Sequence, residues 1–230
     1  SGYALFDDSK MSAAAKSMGY KPYDLLFLGD NGSNGASCEA IFPLLQDGKV
    51  TKAWGGSMFF VAAMWNAQMA TVIGLDAATT SNTWAGMRCR QQLLEKFTSN
   101  PASYVGKTAA ENRAASNDDR AIFWGVDHTL SVFPNDGFNN GITTPKWSNN
   151  YSNGGTPHDA ENVDIDFFLL RAAEAYLNAA EAALHTGDAD KAKTYMDAIR
   201  NRAHATTRSS YTLDDVIDER AREMYFEGIR

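Results

Sequence analysis

The stretch Asp166–His185, DFFLLRAAEAYLNAAEAALH, limits the possible folds of this chain more than any other. Its polar residues Arg171, Glu174, Asn178, Glu181 and His185 recur at steps of three and four, which lays them along one narrow stripe of a helix. Nearly everything off the stripe is Phe, Leu, Tyr or Ala. A surface helix carries a broad polar face, so the pattern predicts a helix over 166–185 that is packed on most sides. Its seven alanines fit that reading, because small side chains let neighbouring helices approach closely.

The partners follow directly. Gly187 suits the position just past a helix end, and Asp188 suits the N-cap of the next helix. That helix, 189–203, places Ala189, Ala192, Met196, Ile199 and Ala203 on one stripe. Thr212 then opens a third helix with Asp215 in the capping-box position. Its expected apolar face is Leu213, Val216, Ile217, Ala221, Met224 and Tyr225. Two helices joined by Gly-Asp with alanines at the contact resemble a tetratricopeptide unit, and one such unit cannot bury its own faces. The narrow stripe also speaks about charge. Buried charges must be paired, so Arg171, Glu174 and Glu181 are expected to form an interhelical ion network with the third-helix groups Glu219, Arg220, Arg222 and Glu223.

Upstream the patterning is weaker. A short helix is expected around Met11–Met18, and the run DNGSNGAS at 30–37 is turn chemistry. Residues 39–46, EAIFPLLQ, read as a short strand, with Pro43 confining it to an edge or a bulge. After a polar loop at 74–83, Asn82 or Thr83 can cap a helix running to Phe97, with Trp84, Met87, Leu94 and Phe97 on one face. From Pro101 to Asp164 periodicity nearly vanishes, and aromatics lie among Asn, Gly, Ser, Thr and Pro. Loops this long are functional or disordered, and the aromatic content argues against disorder. The fold class is therefore mainly α: a tetratricopeptide-like helical scaffold with an irregular, loop-rich region containing short strands.

Composition excludes several functions. The 230 residues carry a net charge of −7 and no basic stripe, which disfavours nucleic-acid binding. No apolar run reaches membrane-spanning length. Cys38 and Cys89 form no CxxC and are expected as free thiols. His128, His158, His185 and His204 show no paired spacing, and the turn at 30–35 lacks the spacing and bidentate Glu of a calcium loop, so no metal or cofactor is expected. Asp118 and Asp119 are adjacent, which does not place two carboxylates across a glycosidic bond.

The helical third carries a family likeness. Its motif residues are Arg171, Ala173, Glu174, Tyr176, Leu177, Ala180, Glu181 and Ala182, then Arg200, Arg202 and Ala203, then Glu219, Arg220, Glu223, Glu227, Gly228 and Arg230. This pattern resembles the C-terminal signature of the SusD/RagB family of outer-membrane glycan-binding lipoproteins. Weaker likenesses continue upstream in SGYAL, EAIFPL, WGGS, NTWAGMR and DDRAIFW. The resemblance implies the middle and near-C-terminal part of a longer protein, with the lipid-anchoring cysteine outside this chain. It implies a loop-rich ligand-facing region, 1–164, and a helical part, 165–230, of one SusD-like domain. It further implies a non-enzymatic role at the cell surface of a Gram-negative bacterium: binding an oligosaccharide or polysaccharide and delivering it to a SusC-type TonB-dependent transporter. The alternative is a helical-repeat scaffold that binds only protein.

Sugars stack their C–H faces on aromatic rings while polar groups meet the hydroxyls. Trp84, flanked by Asn82 and Arg88, is the first candidate; its bland reading is a Trp stapling a helix to the core. Trp54, beside Gly55 and Gly56, follows, with Trp147 and Tyr151 in the Asn-rich loop. Trp65 and Trp124 lie in apolar runs and read as core.

Overall fold

The computed structural model describes residues 2–52, 57–65, 69, 83–159 and 161–228. Two short helices open the chain, α1 (Ala13–Ser17) and α2 (Pro22–Leu25). Ser12 caps the first by accepting from the Ala15 N–H, and Pro22 starts the second where its missing N–H costs nothing. Strand β1 (Ala40–Leu44) then leads towards α3 (Ser57–Met64), α4 (Gln91–Leu94) and α5 (Ala109–Ser116). Strand β2 (Phe167–Arg171) runs straight into α6 (Ala172–His185), followed by α7 (Ala189–Arg202) and α8 (Leu213–Met224). The molecule is mainly helical, with one two-stranded sheet among the described residues.

The first six residues of the expected central helix are not helical. Phe167–Arg171 pairs antiparallel with β1, with Ala40 opposite Arg171 and Leu44 opposite Phe167. Long-range pairing wins over local periodicity here: Phe168 drops into the core while Leu169 and Leu170 stay exposed. Pro43 lies at a register irregularity, as its missing donor requires.

Helix α6 is also less enclosed than its composition suggests. Ala172, Ala173, Leu177, Ala180 and Ala183 are buried, but Ala175, Asn178, Glu181, Ala182 and His185 are exposed. Two of its seven alanines, Ala175 and Ala182, therefore line an open side of this chain. The buried side packs on Met196 and Ile199 of α7 and on Val216 and Met224 of α8. The caps form as the sequence dictates. Asp188 accepts from the Lys191 N–H at 3.0 Å, Gly187 takes φ +80°, and Thr212 and Asp215 exchange capping-box bonds of 2.8 and 3.2 Å.

Helix α8 turns Val216, Met224 and the following Tyr225 inward as its apolar pattern marks, together with a row of charged residues that the pattern does not mark. Ile217 is 63% exposed and Leu213 is also exposed, whereas Glu219, Arg222 and Glu223 are buried. The reason is an ion network that outweighs two aliphatic contacts. Arg171, 0% exposed, holds Glu39 at 2.6 Å, Glu223 at 2.7 Å and Glu227 at 2.7 Å. Arg202 pairs with Glu39 and Glu223, and Arg120 with Asp118, Glu219 and Glu223. Arg200 and Arg222 close on Glu219 at 2.5 and 2.9 Å. Burial alone would raise the Glu223 carboxyl, but Arg202, Arg171 and Arg120 override it and hold the group below the ordinary carboxylate range.

Three predicted members, Glu174, Glu181 and Arg220, lie outside this buried network. Glu174 is half-buried and makes no ion pair among the described residues, and Glu181 is exposed and meets Arg220 at 3.2 Å on the surface. The network gathers around the N-terminus of α6, where Arg171 emerges from the sheet.

Upstream, the expected helix from Asn82 or Thr83 to Phe97 shrinks to Gln91–Leu94. The preceding loop spends its donors elsewhere: Trp84 N–H on Ala62 O, Met87 N–H on Ala63 O and Cys89 N–H on Ile142 O. Conversely, the stretch 101–164 contains α5, whose Thr108–Glu111 capping box is visible in the sequence. Trp65 and Trp124 are core residues, and both cysteines are free.

Candidate functional site

The sequence-nominated residues separate into three groups. Trp54 and Asn82 lie outside the described residues, as do Gly55, Gly56 and Arg230. Trp147 is buried at 1% exposure, its indole stacked at 5.3 Å on both Phe60 and Phe167 and its Nε1–H donated to Phe226 O. A fully buried indole, packed among aromatic rings and with its donor committed, offers nothing to a sugar, so Trp147 is a core residue. Arg88 is turned onto the protein as well: Nε donates to Asn140 O at 3.0 Å and Nη1 to the carbonyls of Ala85 and Met87. It braces the 83–90 loop; it is not a ligand contact.

Trp84 is different. It is half-buried, in a segment of irregular backbone fixed by Ala85 at φ +55° and by the bonds to α3 described above. Its ring meets Phe59 edge-on, with centroids 6.2 Å apart at 62°. Phe59 is 49% exposed. Gly86 lies against the indole edge, where a Cβ would come within 3.4 Å of Trp84 Cδ1. The chain neighbour Phe60 stacks on Trp147 and Phe167, so the exposed pair rests on a rigid aromatic base. Sequence patterning did not single out Phe59, because the run SMFFVAAMW looks uniformly apolar; only the helical arrangement of α3 turns Phe59 outward and Met58 inward.

Tyr151 lies in a second place, a hollow of about 150 Å³ lined by Asp30, Asp47, His158, Asp164 and Asp166. Its hydroxyl donates to Asp164 Oδ2 at 2.9 Å, and its ring meets the His158 ring edge-on. Burial, reinforced by Asp164, raises the Tyr151 hydroxyl well above its ordinary value, so it stays protonated as a donor. His158 Nδ1 lies 2.9 Å from Asp47 O and 3.2 Å from Asp164 Oδ1. Asp30 accepts from Ser152 Oγ at 2.6 Å, and Asp166 accepts from the Gln46 N–H at 2.9 Å. Burial raises the Asp166 carboxyl, with the Gln46 bond opposing. The hollow is rich in acceptors, which suits hydroxyl donors. It assembles from residues more than 110 positions apart, so no local spacing could have announced it. Asp118 and Asp119, the adjacent carboxylates, are held by Arg120 and by His204.

Among the described residues, no group of three or more His, Cys, Asp and Glu is placed to hold a metal, and no helix is long and apolar enough to cross a membrane. The architecture is a helical scaffold joined to a long irregular region. The chain belongs to the SusD family, whose model matches residues 105–230. It is 31% identical over 240 residues to the starch-binding protein SusD of Bacteroides thetaiotaomicron, an alignment covering 90% of this chain and 42% of that protein. Solved structures agree on the fold. A SusD-like protein from Bacteroides fragilis superposes with a TM-score of 0.60 at 20% identity, over 98% of this chain and 46% of the other. Surface glycan-binding protein A from Bacteroides uniformis gives 0.53 at 22% identity, over 96% and 44%. The chain thus spans less than half the length of the relatives it matches.

Proposed function

We propose that this chain is part of a non-enzymatic, cell-surface glycan-binding protein, lipid-anchored at the outer membrane, that passes oligosaccharides to a SusC-type TonB-dependent transporter. The observation that carries the reading is the half-open Trp84–Phe59 pair on a chain whose 31%-identical relative is a starch-binding protein. An edge-to-face aromatic pair offers two ring faces at an angle, which suits a curved run of sugar units. The Tyr151 hollow supplies acceptors for hydroxyl groups. A shallow, wet platform of this kind binds at roughly micromolar to millimolar Kd and gains retention by engaging several sugar units.

A second reading, a scaffold that binds only protein, is favoured by one feature. Phe42 and Leu44 of β1 and Leu169 and Leu170 of β2 are exposed together on the strand pair, and contiguous apolar surface of this sort marks interaction sites. Affinity electrophoresis of the full-length protein through gels containing starch, other plant glycans and host glycans separates the two. Retardation by at least one polysaccharide is expected. Free migration in every gel, together with capture of the transporter, would select the scaffold reading.

A further inference from the structure

The segment 127–141, DHTLSVFPNDGFNNG, carries the two most exposed phenylalanines among the described residues, Phe133 at 77% and Phe138 at 64%. The loop that holds these rings in water is itself fixed in shape. Thr129 N–H donates to Asn139 O at 2.9 Å and Gly141 N–H to Thr129 Oγ1 at 3.3 Å, which closes the loop at its base. Ser131 Oγ accepts from the Phe133 N–H at 3.1 Å and donates to Phe133 O at 2.8 Å. The Asn140 amide donates to Asp136 Oδ1 at 2.6 Å and to Pro134 O, which ties the tip back to the base. The base in turn is seated against the Trp84 loop. Arg88 donates from Nε to Asn140 O and from Nη1 to Ala85 O, next to Trp84, so one guanidinium spans both loops. Gly141 permits this approach, since a Cβ there would lie 2.9 Å from Val132 Cγ2 and 3.4 Å from Arg88 Cδ. Phe138 is two residues from Asn140, so its Cα stands at most about 25 Å from that of Trp84.

We propose that Phe133 and Phe138 form a second aromatic contact, which meets sugar units further along a glycan seated on Trp84 and Phe59 and so selects ligands long enough to reach both. This rests on the glycan-binding reading above and adds to it a selection for chain length. A phenylalanine ring has no donor or acceptor, so it offers a flat apolar face, which suits the C–H side of a pyranose. The hydroxyls around that side need polar partners, and Asn135, Asp136 and Asn139 stand exposed beside the rings. Docking of a protein is favoured by contiguous apolar surface. Here polar residues separate the two rings, unlike the strand pair, where Phe42 and Leu170 lie opposite one another. A loop already fixed in shape loses little freedom on binding, and a second contact to the same chain raises retention once the ligand spans both. A separation of at most about 25 Å is the length of a handful of sugar units, so a short ligand occupies the Trp84 end alone.

Isothermal titration of the full-length protein tests this. The ligands are tri- and heptasaccharide fragments of the polysaccharide that retards it most in the gels, maltotriose and maltoheptaose where that is starch. The double variant Phe133→Ala, Phe138→Ala is expected to bind the heptasaccharide about tenfold more weakly, with the loss confined to that ligand. Trp84→Ala is expected to weaken both. Phe133→Trp, Phe138→Trp keeps the flat faces and is expected to hold heptasaccharide affinity within about twofold. Unchanged heptasaccharide binding in the alanine variant would overturn the second contact and leave the Trp84 platform standing. An equal loss on both ligands would overturn it too, by showing that the loop acts on the Trp84 contact itself. Intact affinity with lost capture of the transporter would assign the rings to a protein partner instead. Free migration in every gel would remove the glycan reading and the length selection with it. Because both rings are exposed, the melting temperature of the alanine variant is expected to stay within a few degrees of wild type; a large drop would show that the rings support the fold and contradict a ligand role.

Discussion

Arg171 shows how one side chain can tie a fold together. It ends β2, precedes α6, and bonds carboxylates from the stretch before β1 (Glu39), from α8 (Glu223) and from beyond it (Glu227). Removing its charge leaves three buried carboxylates short of a partner. Breaking a buried pair from one side costs about 3–5 kcal/mol. Arg171→Met is therefore expected to lower the melting temperature by roughly 10 °C, measured by calorimetry; an unchanged transition would show that the network does not hold the molecule together. His204 makes a weaker clasp near the surface, with Nδ1 2.6 Å from Asp119 and Nε2 2.8 Å from Asp8. The Asp119 hydrogen bond raises its pKa, against a burial effect that lowers it. A raised value means a stabilisation present in full below the unfolded histidine value of about 6.5 and lost as pH climbs through the folded one. The stability gap between wild type and His204→Asn, a substitution that tolerates the φ of +50°, is expected to shrink from about pH 5.5 to about pH 8.5. A gap constant with pH in denaturant melts would contradict this clasp.

At the scale of elements, the C-terminal third was largely legible. Gly187, Asp188, Thr212 and Asp215 act locally, through φ preference and side-chain caps, so their sequence signals survive into the structure. What could not be read was set by partners far along the chain. Phe167–Arg171 has helical periodicity, but its backbone pairs with residues some 130 positions earlier in β1. Trp84–Arg90 looks like a helix start, yet its donors go to α3 and to Ile142. Helix α8 buries Val216 and Met224 as its pattern marks, but leaves Leu213 and Ile217 exposed and turns Glu219 and Glu223 inward to meet Arg120, Arg171 and Arg202. Of the nominated site residues, Trp84 and Tyr151 keep ligand-accessible surroundings, while Trp147 was misread because an Asn-rich neighbourhood says nothing about which side an indole faces. The Thr108–Glu111 box of α5 stands in the sequence, but the turn-forming residues around it mask the helix it opens.

At the scale of the molecule, division of labour is the main feature. The C-terminal helices and their ion network supply rigidity. Trp84, on an irregular loop, and Phe59, on α3, form the half-open aromatic pair, and residues 29–47 with 151–166 form the acceptor-rich hollow. Family membership accounts for the helical frame, and the glycan-binding proposal assigns recognition to the exposed rings. The glycan-binding account rests on Trp84 and Phe59 meeting sugar directly. Isothermal titration of the full-length protein with a maltooligosaccharide, or with whichever glycan retards it in the gels, compared with Trp84→Ala, tests that point. The account predicts a loss of at least about tenfold in affinity, equal to about 1.4 kcal/mol, with the melting temperature held within a few degrees. Binding of unchanged strength in a folded Trp84→Ala protein would contradict it.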